Sequence, residues 1–270
     1  MAESIQKEKA IRAIVRSSVS CYAAGFAGRH LSELDDDEGA INMKIHNVFV
    51  TALGKEIQYY SALVRSLDSS LGNMLEKMAI EIARLNYTVS RQVSGVLYQE
   101  QTNKIAELLE QYKRHAKWPR IEDYAHFAEC TGAKVEKRHE SDYYLFDEET
   151  NEHYLIELKN GGDLDNKKAR SEKEALLEQY CILSNGLGGS EHVSILFATA
   201  YNRYGEGAEW RQSRVQQFFA KEELCISGDF WNLVCKSDRG YDIVIDEYRK
   251  TAYLICDALQ RIKEAYLPNE

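Results

Sequence analysis

Asp142, Glu157 and Lys159 have the residue types and the spacing to do chemistry together. The run Asp142-Tyr143-Tyr144-Leu145-Phe146-Asp147 is followed by Glu148-Glu149-Thr150-Asn151 and then by Glu152 to Lys159. Two strand-like runs separated by polar, turn-forming residues read as a hairpin. A loop at 148–151 pairs Asp147 with Glu152. Stepping back along both strands then sets Asp142 opposite Glu157. Strand alternation puts Glu157 and Lys159 on one face, and directly paired residues share a face. A slip of one residue would undo this convergence. Two carboxylates on neighbouring strands can hold a hard divalent cation through oxygen, which suits Mg²⁺. Such a metal offsets charge on a phosphate and lowers the pKa of a bound water. A lysine beside it can orient or help deprotonate that water and counter charge in the transition state. The chemistry open to this set is in-line hydrolysis of a phosphodiester.

A plainer reading competes with this one. A Glu-x-Lys tripeptide arises about once by chance in a chain of this composition. Glutamate and lysine on an exposed strand face are also an ordinary cross-strand charge pattern. The segment after the strand favours the chemical reading. Asn160-Gly161-Gly162 ends the strand, and the helix read from Asp163 to about Leu183 carries Lys167, Lys168, Arg170 and Lys173 near its start. Those side chains would meet a DNA backbone, although similar residues occur on many solvated helices.

The elements around the set follow two patterns. Residues 1 to about 130 read as helices, with apolar spacing near 3.6. Leu71, Leu75, Met78, Ile82 and Leu85 form one stripe, and Ile105, Leu108, Leu109 and Tyr112 another. Ser69 and Ser70 are expected N-caps of a helix starting near Leu71, and residues 35–39 read as a loop. From about Lys134 the period changes. Ser194-Ile195-Leu196-Phe197-Ala198 is the continuous apolar run of a central strand, and residues 241–265 are helical again. The expectation is an α/β fold, a mixed sheet flanked by helices, with a largely helical N-terminal half. Residues 1–130 would form a helical subdomain and residues 131–270 the catalytic core with C-terminal helices.

Composition narrows the class. The chain has 270 residues, 44% of them hydrophobic, enough for one large domain or two small ones. No run of about 18 apolar residues is present, and the N-terminus lacks a signal-peptide layout, so a cytoplasmic protein with no membrane partner is expected. The six cysteines form no C-x-x-C pair, which leaves a zinc site unsupported and reads as buried thiols. The histidines form no H-x-x-x-H site, and no phosphate-binding glycine loop is present, so ATP use is not expected. The net charge of −9 counts against nucleic-acid binding. A local patch matters more than the sum, however. The run Lys113-Arg114-His115-Ala116-Lys117-Trp118-Pro119-Arg120 holds four fixed positive charges and no negative one, whereas Asp35-Asp36-Asp37-Glu38 is wholly acidic. Either run can be simply a solvated face.

The Asp142…Glu157-Leu158-Lys159 arrangement resembles the PD-(D/E)XK nuclease superfamily, with Ser141 where the superfamily's name has proline. A closer resemblance lies in several blocks taken in order. Ser66-Leu67-Asp68-Ser69-Ser70-Leu71-Gly72-Asn73-Met74-Leu75-Glu76 looks like the serine-leucine-glycine helix opening of the TdeIII-type family of type II restriction endonucleases. Ile156-Glu157-Leu158-Lys159 with the polar helix ending Leu176-Leu177-Glu178 fits the same family. So do Ala200-Tyr201-Asn202-Arg203-Tyr204 with Trp210, and Gly228-Asp229-Phe230-Trp231-Asn232. The first 40 residues match poorly.

This resemblance implies a restriction-endonuclease-like core and Mg²⁺-dependent cleavage of double-stranded DNA at a short palindromic or interrupted-palindromic site built on GGNCC. It implies a homodimer working beside a cognate DNA methyltransferase. Asp142, Glu157 and Lys159 would be the catalytic set, with Asp142 and Glu157 on the metal. Glu76 would match a family glutamate near the metal, and its plain alternative is a helix-surface or capping glutamate. Arginines reading guanine are sought at Arg203, Arg211 and Arg214, where phosphate contact or solvation is the commoner role. Gly228-Asp229-Phe230-Trp231 reads as core packing. A repair or junction-resolving nuclease of the same superfamily, and a non-catalytic helical interaction protein, are the alternative readings.

Overall fold

The computed structural model describes residues 2–130 and 132–268, with the side chains of 2–4, 129 and 139–142 outside the described set. In chain order the elements are α1 (Ala2–Ser32), α2 (Val48–Thr51), α3 (Lys55–Ala83), β1 (Thr88–Tyr98), α4 (Gln99–Lys113), α5 (Glu122–Ala125), β2 (Lys134–Asp147), β3 (Glu152–Lys159), α6 (Asn166–Leu187), β4 (Val193–Thr199), α7 (Ser213–Gln216), β5 (Leu224–Ile226), α8 (Gly228–Cys235), α9 (Gly240–Thr251) and α10 (Tyr253–Tyr266). They fall into two compact units, one of residues 1–81 with 242–270 and one of residues 82–241. No helix among the described residues is long and apolar enough to cross a membrane.

The first unit is helical. On α1 the buried Ile11, Val15, Val19, Ala23, Phe26, Ala27 and His30 recur three or four residues apart and form one stripe. Phe26 joins Tyr59, Leu63, Ile262 and Tyr266 in a shared core. Arg12 pairs with Asp246 at 2.6 Å and Arg16 with Glu247 at 2.7 Å. The helix expected to start near Leu71 begins instead at Lys55, so Ser69 and Ser70 lie inside α3. The Ser70 hydroxyl donates to the Ser66 carbonyl at 2.6 Å. This back-bond to the preceding turn satisfies a serine within a helix, where no free N–H remains for it to cap.

The second unit is a mixed five-stranded sheet in the order β1-β2-β3-β4-β5, flanked by helices. Strands β1, β2 and β3 run antiparallel, while β4 and β5 continue β3 in parallel. The hairpin has the expected register, with Asp147 opposite Glu152 and the described pairs running to Tyr143 opposite Ile156. A parallel neighbour requires a crossover, and α6 supplies it between β3 and β4. Its Leu176, Leu177 and Tyr180 pack with Leu155, Ile195 and Phe197 on the sheet face that also carries Glu157 and Lys159.

The structure corrects the sequence reading at residues 88–98 and at two of the cysteines. Residues 88–98 lie in the stretch read as helical, but they form β1. Their content of valine and threonine suits a pleated surface, and their pairing with β2 gives the hairpin a third strand. The change of periodicity near residue 130 also falls inside the second unit, because the apolar stripe of α4 packs into the same core as α6. Of the six cysteines expected to be buried, Cys21 and Cys256 are exposed.

Candidate active site

Glu157 and Lys159 stand at the C-terminal end of β3, opposite Phe197 and Thr199 of the parallel neighbour β4. Strand alternation puts both on the α6 face, and their side chains are in direct ionic contact. The structure adds a partner that strand spacing could not supply. Glu172 of α6 lies 3.0 Å from the Lys159 ammonium, so the lysine bridges two carboxylates. All three side chains keep some access to solvent. Burial alone would push the Lys159 ammonium down. The charges and hydrogen bonds of Glu157 and Glu172 outweigh burial and hold it above the ordinary lysine range. A lysine held charged in this way can orient water and offset phosphate charge, and is poorly suited to removing a proton.

Asp142 belongs to β2, but its side chain lies outside the described residues. The ladder between β1 and β2 is irregular between Ser90 and Gln92, whose partners Tyr144 and Glu140 bracket this part of β2. Bulges of this kind recur beside active sites. Glu76 lies on α3, in the first unit, and is half-buried.

The site fits a hard cation by the chemistry of its donors, because the carboxylates of Glu157 and Glu172 offer oxygen alone. Among the described residues no group of three or more His, Cys, Asp or Glu is gathered closely enough to hold a metal. Mg²⁺ commonly binds through one or two carboxylates, with waters and substrate phosphate completing its octahedron.

The basic residues divide into a rim and a core. Lys167 and Lys168 are exposed on the first turn of α6, which Asp165 caps by accepting from the Lys168 N–H at 2.8 Å. Arg170 is half-buried and 4.0 Å from Glu174. Lys173, expected among the surface cations, is instead fully buried. It contacts the buried carboxylate of Glu223 and lies 4.7 Å from the Tyr124 ring and 5.1 Å from the Phe219 ring. Successive helical residues are turned about 100° apart, so Glu172 points to the site while Lys173 points to the core. Helical spacing gave no sign of which face was buried.

Arg203, Arg211 and Arg214 are exposed in the segment following β4. Arg203 pairs with Asp163 at 2.9 Å, and Arg211 lies 5.1 Å from the Tyr204 ring. Gly162 brings this segment close to the end of β3. Its φ is +71°, and a Cβ there would meet both Thr199 and Trp210 at 2.9 Å. Phe230 and Trp231 are core residues, and the Trp231 indole donates to the Ala200 carbonyl at 2.8 Å.

Glu172 was missed from the sequence because its meeting with Lys159 depends on how α6 folds back onto β3. The available signal was a carboxylate on the first two turns of the helix that follows the Glu-x-Lys strand.

Comparison with known proteins completes the picture. A family model described as Type II restriction endonuclease, HinfI, matches residues 8–252. No curated protein and no solved structure gives a significant match. The match supports the type II restriction endonuclease level of the resemblance read from the sequence, while its narrower TdeIII-type form is not what the match names. It sets aside the non-catalytic interaction protein, since the family is one of nucleases acting on DNA. The chain belongs to the HinfI family of type II restriction endonucleases.

Proposed function

We propose that the protein is a Mg²⁺-dependent endonuclease that cuts both strands of DNA at a short palindromic or interrupted-palindromic site, within a restriction–modification system that includes a cognate methyltransferase. The observation that carries this reading is Lys159 bridging Glu157 and Glu172 at the end of β3, beside the exposed cations of α6 and of the segment after β4. A GGNCC-like site rests on the TdeIII-type resemblance alone.

In this reading Asp142 and Glu157 would hold the cation, which supplies Lewis-acid stabilisation of the phosphate and a more acidic water. The Lys159 ammonium, kept charged by its two carboxylates, orients the attacking water and offsets charge as the water-oxygen–phosphorus bond forms and the bond to the leaving oxygen breaks. Glu172 keeps Lys159 in place. Lys167, Lys168, Arg170, Arg203, Arg211 and Arg214 engage phosphates or base edges.

Dimerisation belongs to the helical part within residues 1–130, and catalysis to residues 131–270. Met43, Ile45, Val48, Phe49, Leu53, Ile57 and Val64 are all about half exposed or more. At roughly 100 Å² each they offer about 700 Å² per copy, close to the ~800 Å² per partner of a standard interface.

Incubating plasmid with the protein and Mg²⁺ tests the function. Discrete fragments that disappear with EDTA are expected. An intact plasmid, or cleavage confined to branched substrates, would overturn the proposal.

A further inference from the structure

The loop that follows α4 carries a feature the proposed chemistry does not use. Trp118 is 73% exposed, while the other two tryptophans, Trp210 and Trp231, are buried. A tryptophan can bury about 150–250 Å² of surface, so this one offers a large aromatic face to a partner. The ring is flanked by Lys113, Arg114, Lys117 and Arg120, all exposed. Glu110 pairs with Lys113 and Arg114, and Asp123 with Lys117 at 2.6 Å. The cations of the loop therefore outnumber the carboxylates that pair with them.

The loop is held at both ends, so the exposure of Trp118 is not that of a loose segment. Asp123 accepts from the Tyr112 hydroxyl at 2.8 Å and from the Arg120 N–H at 3.1 Å. His115 takes a positive φ of 55°, and Pro119 stiffens the backbone next to the ring. The Gln217 amide donates to the Tyr112 and Lys113 carbonyls at 3.2 and 3.1 Å, and its oxygen accepts from Asn166 at 3.2 Å. Asn166 opens α6, the helix that carries Lys167, Lys168 and Glu172. The six helical rises from Asn166 to Glu172 span about 9 Å along the axis, or roughly three steps of a DNA strand at about 3.4 Å each. One duplex can therefore touch the root of the loop and the Glu157–Lys159–Glu172 site together.

We infer that the loop of residues 114–120 is a DNA-contacting element in which Trp118 stacks against a base of the duplex held at the active site. An aromatic ring among cations suits this ligand, because wedging at a base step uncovers a base face for the ring while the cations meet phosphate charge. Apolar side chains wedged at a base step are also a known means of kinking duplex DNA. The inference rests on the proposed DNA-cleaving function.

Intrinsic fluorescence tests it, since Trp118 alone among the tryptophans can be stacked upon from solvent. The full-length protein is titrated in Ca²⁺ with a 30-bp duplex carrying the site mapped by plasmid digestion, or with sheared plasmid duplex if no site emerges. Binding is followed by anisotropy of labelled DNA alongside tryptophan emission. Emission should be quenched on binding, and W118F should lose that quenching while still binding. W118A should weaken binding roughly tenfold with an unchanged salt slope, whereas R120A should lower the slope by about one. Anisotropy showing tight binding without quenching, or W118A binding like wild type, would overturn the role of Trp118 and leave the nuclease reading intact. Emission that changes on protein dilution and not with DNA would reassign the ring to contact between copies. No DNA binding by the wild type would overturn the underlying function as well.

Discussion

The Lys159 ammonium lies 3.0 Å from the Glu172 carboxylate while also contacting Glu157, so one cation joins the end of β3 to α6. Replacing Glu172 by Gln removes one of the two negative charges on Lys159 with little change in shape. Cleavage should fall about 10–100-fold, as for outer partners that orient a ligand or catalytic group, with an unchanged urea midpoint. A wild-type rate for E172Q would remove Glu172 from the site.

In the proposed mechanism Lys159 orients water and offsets the charge that builds during attack. K159A should lower the cleavage rate by roughly 10²–10⁴ and retain DNA binding. Gel shifts in Ca²⁺ suit the binding measurement, because Ca²⁺ takes oxygen ligands with looser geometry than Mg²⁺ and should support specific binding without turnover. A variant that still cuts at near wild-type rate would show that the lysine has no catalytic part.

The buried pair Lys173–Glu223 should govern stability. Glu223 accepts from the Tyr124 hydroxyl and from the Ala220 N–H, both at 2.6 Å, and contacts Lys173. K173M strands a buried carboxylate and should cost about 3–5 kcal/mol, whereas adding E223Q should recover much of that loss. Urea unfolding of the two variants measures this. Equal stability of K173M and wild type would mean the pair is not closed in solution.

Phe49, in the first unit, is 84% exposed, so F49D should leave the protomer folded while placing a charge in the proposed interface. Light scattering should give a dimer mass for wild type and a monomer mass for F49D, with nicking replacing double-strand cleavage. A cut through both strands is most simply made by two catalytic sets, and two-fold dimers are the commonest assembly that supplies two. A monomeric wild type, free and DNA-bound, that still makes double-strand cuts to first order in protein would defeat the dimer.

What the sequence determined by itself was local. Polar residues at 148–151 between two strand-like runs set the hairpin register, as Asp147 opposite Glu152 demonstrates. A period of two then put Glu157 and Lys159 on one face, and Asn160-Gly161-Gly162 marked where β3 stops. These features depend on neighbours a few residues away, so chain spacing is enough to read them. The tertiary structure decided the rest. Residues 88–98 become a strand because β2 offers them an edge. Ser69 and Ser70 lie within a helix that continues through them. Glu172 and Lys173 are consecutive, yet one reaches Lys159 and the other the core. Periodicity records that a helix has faces, but only packing against the sheet fixes its rotation, and that rotation chose which of the two charges meets Lys159.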